Sequence, residues 1–367
     1  MRFAIIGSRG YPSTYGGYET FVRALVPYAV ERGHEVLVYC RAAPAGLGQW
    51  RTGGAECRLT RGIGDRRLST LSYGLSSCWD ARRRGLDATL VVNCANGYWL
   101  PLLRSAGVPV AINVDGLEWE RGKWSRVGRA VFAGGAAAAA RSADRLISDS
   151  EAIAAVWQRR FGVRPTYIPY GAEVVVDDAD DELRRLGIEP RTYVLIVARL
   201  VPENNVRLAV EGVASLDPEA RPLHVIVGSI DPDNALAAYV RERDRERDDL
   251  RWLGHVDDQR LLRQLYRHSL VYVHGHSVGG TNPALLEALG AGAPALAYDV
   301  AFNREVIGDE DVYFKRAAEL GVKLRLLLNS DRRRAALSQR GQSIVAKRYD
   351  TGEVSRRYLE LLAEIAE

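Results

Sequence analysis

Apolar positions recur along this chain in two periods. One suits buried strands and the other amphipathic helices, and their alternation predicts an α/β organisation with parallel sheets. Arg2 to Gly7 reads as a first strand and opens into the loop SRGYPSTYGGYE. A helix is expected from about Tyr18, with Phe21, Val22, Leu25, Ala29 and Val30 on one face, and Gly33 stops it before the strand Val36 to Cys40. Residues 41–67 are rich in Gly, Arg and Pro and read as loops with one short strand. Leu68 to Arg84 has helical apolar spacing and ends in Arg82-Arg83-Arg84, cations suited to the C-terminal end of the helix dipole. Further strands are expected at 88–92, 108–114, 146–148 and 166–169, with an Ala-rich helix at 126–142 and a helix at 151–161 capped by Ser150.

The acidic stretch YGAEVVVDDADDE, residues 170–182, interrupts this pattern, and a second alternating series follows it. Strands are expected at 193–198, 223–227 and 251–253, helices at 206–216, 235–249 and 258–268, and helical structure again from Ala317 onward with a break near Tyr349 to Gly352. Three segments result: an N-terminal Rossmann-like domain, 1–170; a C-terminal one, 171–345; and a terminal helix, 346–367, returning to the first. The richest stretch is Val271 to Asp299, VYVHGHSVGGTNPALLEALGAGAPALAYD. It reads as strand, glycine turn, helix, turn, strand, with Asn282 as N-cap and Pro283 at the first helical position. A glycine turn feeding a helix N-terminus offers free backbone N–H groups to a phosphate.

Composition narrows the class. Apolar residues make up 47% and charged residues 26%, values of a globular protein, and no apolar run is long enough to span a bilayer. The first apolar stretch breaks at Gly7 after four residues, unlike a signal peptide, so a cytoplasmic protein is expected. Cys40, Cys57, Cys78 and Cys94 show no CxxC spacing and are expected to be reduced thiols. The net charge of +4 hides an asymmetry: residues 1–170 carry 23 Lys+Arg against 13 Asp+Glu, and the remainder 27 against 33. A basic first half suits an anionic lipid surface or a phosphorylated acceptor, or is simply a solvated Arg-rich face. Nucleic acid is not expected, because no aromatic residues interleave with the basic ones.

In open parallel sheets, ligands bind beyond the C-terminal ends of strands. Gly16-Gly17, Asn93 to Gly97 (with Asn96), Asp115 to Trp119, Arg199 to Asn205 and Gly279 to Asn282 all occupy such positions. Two facing domains would bring them to one cleft, where amides and Arg199 suit a diphosphate and the carboxylates of Asp115, Glu118 and Glu287 suit sugar hydroxyls. Gly16-Gly17 lacks the G-x-G-x-x-G spacing of dinucleotide sites.

Across nearly its whole length the chain resembles the family 4 glycosyltransferases of GT-B fold. The resemblance is carried by RGHEV, ISDS, IPYGAE, ARLVPENN, WLGHVDDQRLLRQLYRHS and LLEALGAGAP, in that order. NVDGLEWERGKW and GHSVGGTNPALLEALG resemble the rhamnosyltransferase-type subgroup. The resemblance implies a retaining transferase whose NDP-sugar binds mainly to the C-terminal domain. It implies Glu287 on the nucleotide ribose, Arg199 on the diphosphate, and Gly16 and Gly17 approaching that diphosphate. Two departures stand out. The broad family usually has Lys where Asn204 stands, and a Glu eight positions before the ribose acid, where this chain has Gly279. Asn204, in a loop expected to be exposed, would offer only a neutral amide, and Gly280, Thr281 or Asn282 would substitute for the missing sugar-reading acid.

Several residues keep two readings. Asp115 suits either a turn cap or a group that orients the acceptor and stabilises positive character at the anomeric carbon. Glu118 and Trp119 are equally suited to structure and to acceptor binding, and His274 and His276 read as turn residues. No metal site is expected: no His pair has ligand spacing, and Asp231-Pro232-Asp233 reads as a turn. The chain is therefore expected to be a cofactor-free, metal-independent transferase of a deoxyhexose, most simply rhamnose from dTDP-rhamnose. Its acceptor would be a glycan or a polyprenyl-diphosphate-linked glycan, met through peripheral contact with the inner membrane face. The rivals are a sugar-nucleotide epimerase and a non-catalytic nucleotide-sugar-binding scaffold.

Overall fold

The computed structural model describes residues 1–12, 17–65, 68–114, 116–121, 124–229, 235–246, 248–308 and 310–367. The chain divides into two compact units, Met1–Gly171 with Thr351–Glu367, and Ala172–Asp350.

The first unit begins with β1 (Arg2–Ile6), α1 (Gly17–Glu31), β2 (Glu35–Cys40), β3 (Gln49–Thr52), β4 (Ala55–Leu59), α2 (Ser69–Ala81) and β5 (Ala88–Val92). A 3-10 turn at Cys94–Trp99 leads to α3 (Leu100–Arg104), then β6 (Val110–Asn113), α4 (Arg126–Ser142), β7 (Arg145–Ser148), α5 (Glu151–Phe161) and β8 (Thr166–Tyr167). The sheet runs β3-β4-β2-β1-β5-β6-β7-β8. Its neighbours are parallel except β3, which pairs antiparallel with β4. The expectation of a wholly parallel sheet is corrected at that edge. Short polar strands joined by Gly53-Gly54 carry no buried apolar run for a periodicity reading to find.

Central strands are closed to water on both faces: every residue of β5 and β6 is buried. The Ala/Gly composition of α4 has a steric cause. A Cβ on Gly135 would lie 2.8 Å from the backbone of Cys94 and Ala95, so this helix packs its main chain directly on the 94–99 turn. Trp157 is fully buried and meets Phe161 at 4.8 Å and Trp119 at 5.9 Å between ring centroids.

The second unit contains α6 (Asp181–Arg185), β9 (Tyr193–Val197), α7 (Val206–Ala214), β10 (Leu223–Val227), α8 (Ala235–Glu246), β11 (Leu250–Trp252), α9 (Gln259–Arg267) and β12 (Val271–His274). It continues with α10 (Pro283–Gly290), β13 (Ala295–Tyr298), α11 (Ala301–Ile307), β14 (Tyr313–Phe314), α12 (Ala317–Leu328) and α13 (Asp331–Arg348). Its sheet, β11-β10-β9-β12-β13-β14, is parallel throughout. The last helix, α14 (Thr351–Ala366), belongs to the first unit. Tyr358 from α14 packs on Phe21 at 4.3 Å and accepts a 2.6 Å hydrogen bond from the buried amide of Asn113. Leaving that amide without a partner would cost about 1–3 kcal/mol, so the helix is tied to its sheet by polar as well as apolar contact.

Both sheets reverse direction beside their first strand. In the first unit the chain builds outward from β1 through β2, then crosses back to β5; in the second it builds from β9 through β10, then crosses back to β12. Such a switch point opens a crevice at the carboxyl ends of the two strands.

Candidate functional site

In the second unit, the loops after β9 and β12 carry most of the expected donor-site residues. Because the two strands are paired, Val271 with Val194 and Tyr272 with Leu195, their carboxyl ends emerge side by side. Arg199 is exposed in the first loop. Asn204 is not: it is 4% exposed, and its amide nitrogen donates to the Arg199 carbonyl at 2.8 Å. The expectation of a wholly exposed loop with Asn204 facing a ligand is therefore corrected, since the amide is used to hold the loop's own backbone. Asn205 adopts the left-handed conformation at φ +50° and donates from its amide to the Gly275 carbonyl at 2.8 Å. Ser277 returns two bonds to the Glu203 carbonyl, from its backbone N at 2.9 Å and its Oγ at 2.8 Å. Gly275 is required here, because a Cβ would lie 2.3 Å from the Asn204 carbonyl oxygen.

Beyond Ser277 the turn rises to α10. Gly279 has φ +143°, which L side chains rarely adopt, and nothing lies within 4 Å of where its Cβ would be. Gly280 and Thr281 are buried, and the Asn282 side chain accepts from Ala284 N at 3.0 Å, with Pro283 opening the helix. The dipole of α10 thus begins at the switch point, while its first N–H groups are used in the cap: Pro283 has none, Ala284 N is held by the Asn282 side chain, and Leu285 N and Leu286 N donate to the Asn282 carbonyl at 3.0 and 3.2 Å. Glu287 lies one turn further on and is half-buried.

A buried polar group lies beneath the turn, where the sequence reading expected only turn residues. His274 is the fully buried last residue of β12. Its Nδ1 is hydrogen-bonded to the Tyr272 hydroxyl at 3.0 Å, and its ring stacks on that of His276 at 4.4 Å and 14°. Tyr266 meets Tyr272 edge-on at 5.4 Å. Burial, and then the charge of Glu287, push the Tyr272 hydroxyl's pKa up, so these phenols stay protonated. One phenol and two imidazoles at alternate positions, Tyr272, His274 and His276, were visible in the sequence, but not the burial of Tyr272 and His274 or the approach of Tyr266 from α9.

In the first unit, Gly16 and Asp115 lie outside the described residues, as does Asp231-Pro232-Asp233 in the second. Gly17 opens α1. The loop after β1 is pinned by Glu19, whose carboxylate accepts from Arg9 N at 2.9 Å. A Cβ on Gly7 would lie 2.3 Å from the Val92 carbonyl oxygen and 2.7 Å from the Asn96 amide nitrogen. Asn96 itself is fully buried and donates to Val92 O at 2.8 Å. Its expected place facing a ligand is thus corrected: it braces the switch point from inside. Of the two readings of Glu118, the structure favours the structural one: it is 9% exposed, with its Oε1 2.5 Å from Arg121 Nε and its Oε2 accepting from Trp124 Nε1 at 2.8 Å. Trp119 is in the core. Of the Arg82–Arg84 run, Arg84 is committed to an ion pair, donating to both oxygens of Asp80 at 3.0 and 2.7 Å.

Sequence models of two families match consecutive parts of the chain: glycosyltransferase family 4 over residues 15–174, and glycosyl transferases group 1 over residues 178–344. The chain belongs to the family 4 glycosyltransferases. A sequence comparison with curated proteins finds no significant match. By structure, this transferase is similar to sucrose-phosphate synthase from Thermosynechococcus elongatus, with TM-score 0.83, 17% identity and coverage of 99% of this chain and 98% of that one. It is also similar to HepE from Anabaena in complex with UDP-glucose, with TM-score 0.77, 16% identity and coverage of 99% and 100%. A glycosyltransferase from Rickettsia africae ESF-5 aligns with TM-score 0.74 at 12% identity, covering 100% and 98%. Identities this low speak for the fold, which is GT-B.

The buried imidazole of the transferase has a consequence for stability. Burial first, and the neighbouring His276 second, lower the pKa of His274 well below the ordinary histidine range. The folded-state pKa is thus below the unfolded one. Its contribution is complete above about pH 6.5 and falls as pH drops, because only the unfolded chain takes up the proton. The slope is at most about 1.4 kcal/mol per pH unit. His274→Phe, which keeps a flat ring against His276, is expected to lose less stability than wild type between pH 7.5 and 5 in urea unfolding. Parallel losses in the two proteins would contradict this.

Proposed function

We propose that this transferase moves a deoxyhexose, rhamnose from dTDP-rhamnose, onto a glycan or polyprenyl-diphosphate-linked glycan, with retention and without a metal. The observation that carries the reading is the pair of loops at the β9–β12 switch point, one carrying exposed Arg199 and the other leading through the glycine turn to the N-terminus of α10. In the proposed site the diphosphate takes Arg199 and the backbone N–H groups of the turn, and Glu287 takes the ribose. Gly280, Thr281 and Asn282 line the sugar. The HepE structure holds UDP-glucose, which supports a nucleotide-sugar donor. Gly279 supports a sugar with fewer hydroxyls to read. Its backbone conformation disfavours any side chain there, including the family's usual glutamate, and the space beside it is open.

The chemistry then needs no protein base. The bond from C1 to the diphosphate oxygen breaks as the acceptor oxygen bonds to C1 from the same face, and the acceptor proton passes to the departing diphosphate oxygen. Arg199 and the turn amides stabilise the charge that collects there. Asp115 is assigned to acceptor orientation, and Gly16 and Gly17 to backbone contact with a phosphate.

An exposed face in the first unit supports membrane contact. Leu68, Leu75 and Trp79 share one side of α2 and its N-terminal cap and are 48%, 38% and 48% exposed. The Arg82 guanidinium stacks 3.4 Å above the Trp79 ring, and Arg83 lies 5.7 Å from it. Apolar residues beside cations suit an anionic bilayer surface, where a lipid-linked acceptor and a cytoplasmic enzyme would meet. No described helix is long and apolar enough to cross a membrane.

Two measurements follow. Arg199→Ala should lower turnover roughly a hundredfold, the loss typical of one oxyanion donor, with an unchanged melting temperature because the side chain is exposed. Near-normal turnover would refute the site, release of NDP without acceptor would favour an epimerase, and NDP binding with no turnover of any donor would favour a scaffold. Liposome binding should rise with anionic lipid, fall with salt and weaken in Trp79→Ala; equal binding to neutral and anionic vesicles at low salt would refute the membrane reading.

A further inference from the structure

The two donor loops are joined by a clasp of side chains that no phosphate contact explains. Asn204 fastens the β9 loop to itself through the Arg199 carbonyl, and Asn205 fastens it to the β12 loop through the Gly275 carbonyl. Ser277 closes the circuit on Glu203 with two bonds, and Asn303, at the start of the next helix, donates to the His276 carbonyl at 3.2 Å and to the Tyr298 carbonyl at 2.8 Å. The carboxyl ends of three adjacent strands, β9, β12 and β13, are thereby cross-linked by asparagine amides. The fit leaves no slack, because Gly275 has no room for a Cβ against Asn204.

We propose that Asn205, with Asn204 behind it, is a positioning residue of the donor site. It sets the register between Arg199 and the Gly279–Asn282 turn so that both address one diphosphate. This inference rests on the donor reading above. Its physical ground is preorganisation: an Arg on a free loop must be ordered when ligand binds, whereas an Arg whose carbonyl is already bonded adds little ordering cost. Where the family usually places a lysine, this chain places the brace, so the single cation has to be aimed by structure rather than assisted by a second charge.

The test uses the full-length protein, with UDP and dTDP titrated calorimetrically beside turnover and melting temperature. Asn205→Gly keeps the left-handed backbone and removes only the amide tether. Asn205→Asp keeps shape and tolerates that backbone, but points an acceptor at the Gly275 carbonyl. Nucleotide affinity is expected to fall roughly three- to tenfold in the Gly variant, the range of one lost hydrogen bond. It should fall further in Asp, with donor KM rising more than kcat falls and little change in melting temperature. Ser277→Ala, which keeps the backbone bond to Glu203, should shift affinity in the same direction by less, and it stands in if Asn205→Gly folds poorly. A purely conformational role for Asn205 would leave Gly and Asp alike near wild type. If both bind nucleotide normally while Arg199→Ala does not, the positioning role is wrong and the donor site stands. If Arg199→Ala also binds normally, the donor assignment itself has failed.

Discussion

The pairing of β9 with β12 is the constraint on which the rest of the donor side depends. These strands are far apart in sequence, yet hydrogen bonding between them delivers two loops, one cationic and one glycine-rich, to a common edge. Everything chemically specific then follows from short-range requirements. Gly275 admits the neighbouring loop, Gly279 permits the turn, and Asn282 and Pro283 start a helix whose dipole faces outward at that point. Each of these is a backbone demand, met by the residue types that meet it at least cost.

The polar interior beneath the turn serves the same end. A core of aliphatic residues would have sufficed to support β12, but Tyr266, Tyr272 and His274 place hydrogen-bonding groups there, with His276 stacked above. Buried polar networks fix one arrangement where apolar contacts tolerate several, at the cost of sensitivity to protonation. The first unit solves the equivalent problem differently, wedging Asn96 between Gly7 and Gly74 so that β1 and β5 are braced from inside.

Much of this was legible in the sequence, and the failures have a common cause. The strand–turn–helix of Val271 to Tyr298, with its Asn282 cap, was readable because its signals are local. So were the alternating βα units of both sheets. Asn96 and Asn204 were expected to face a ligand, and Glu118 was left with two readings, because a polar residue just past a strand looks the same whether it meets a ligand or turns back on its own loop. What decides the matter is how the loop folds back on itself, which no periodicity encodes: Val92 for Asn96, with Gly74 closing on it from α2, Trp124 and Arg121 for Glu118, and the Arg199 carbonyl for Asn204. The hairpin of β3 and β4 was only half read, as loops with one short strand, since β3 at the sheet edge and β4 beside it have little apolar content to mark them.

The central claim is that the β9 and β12 loops together form the nucleotide-sugar site. Hydrogen exchange of backbone amides, with and without a saturating nucleoside diphosphate, tests it most directly. The account predicts added protection at residues 200–205 and 279–285, with the phosphate shielding the turn amides and the clasp tightening behind them. Protection confined to other loops, with these two segments exchanging at unchanged rates, would contradict it.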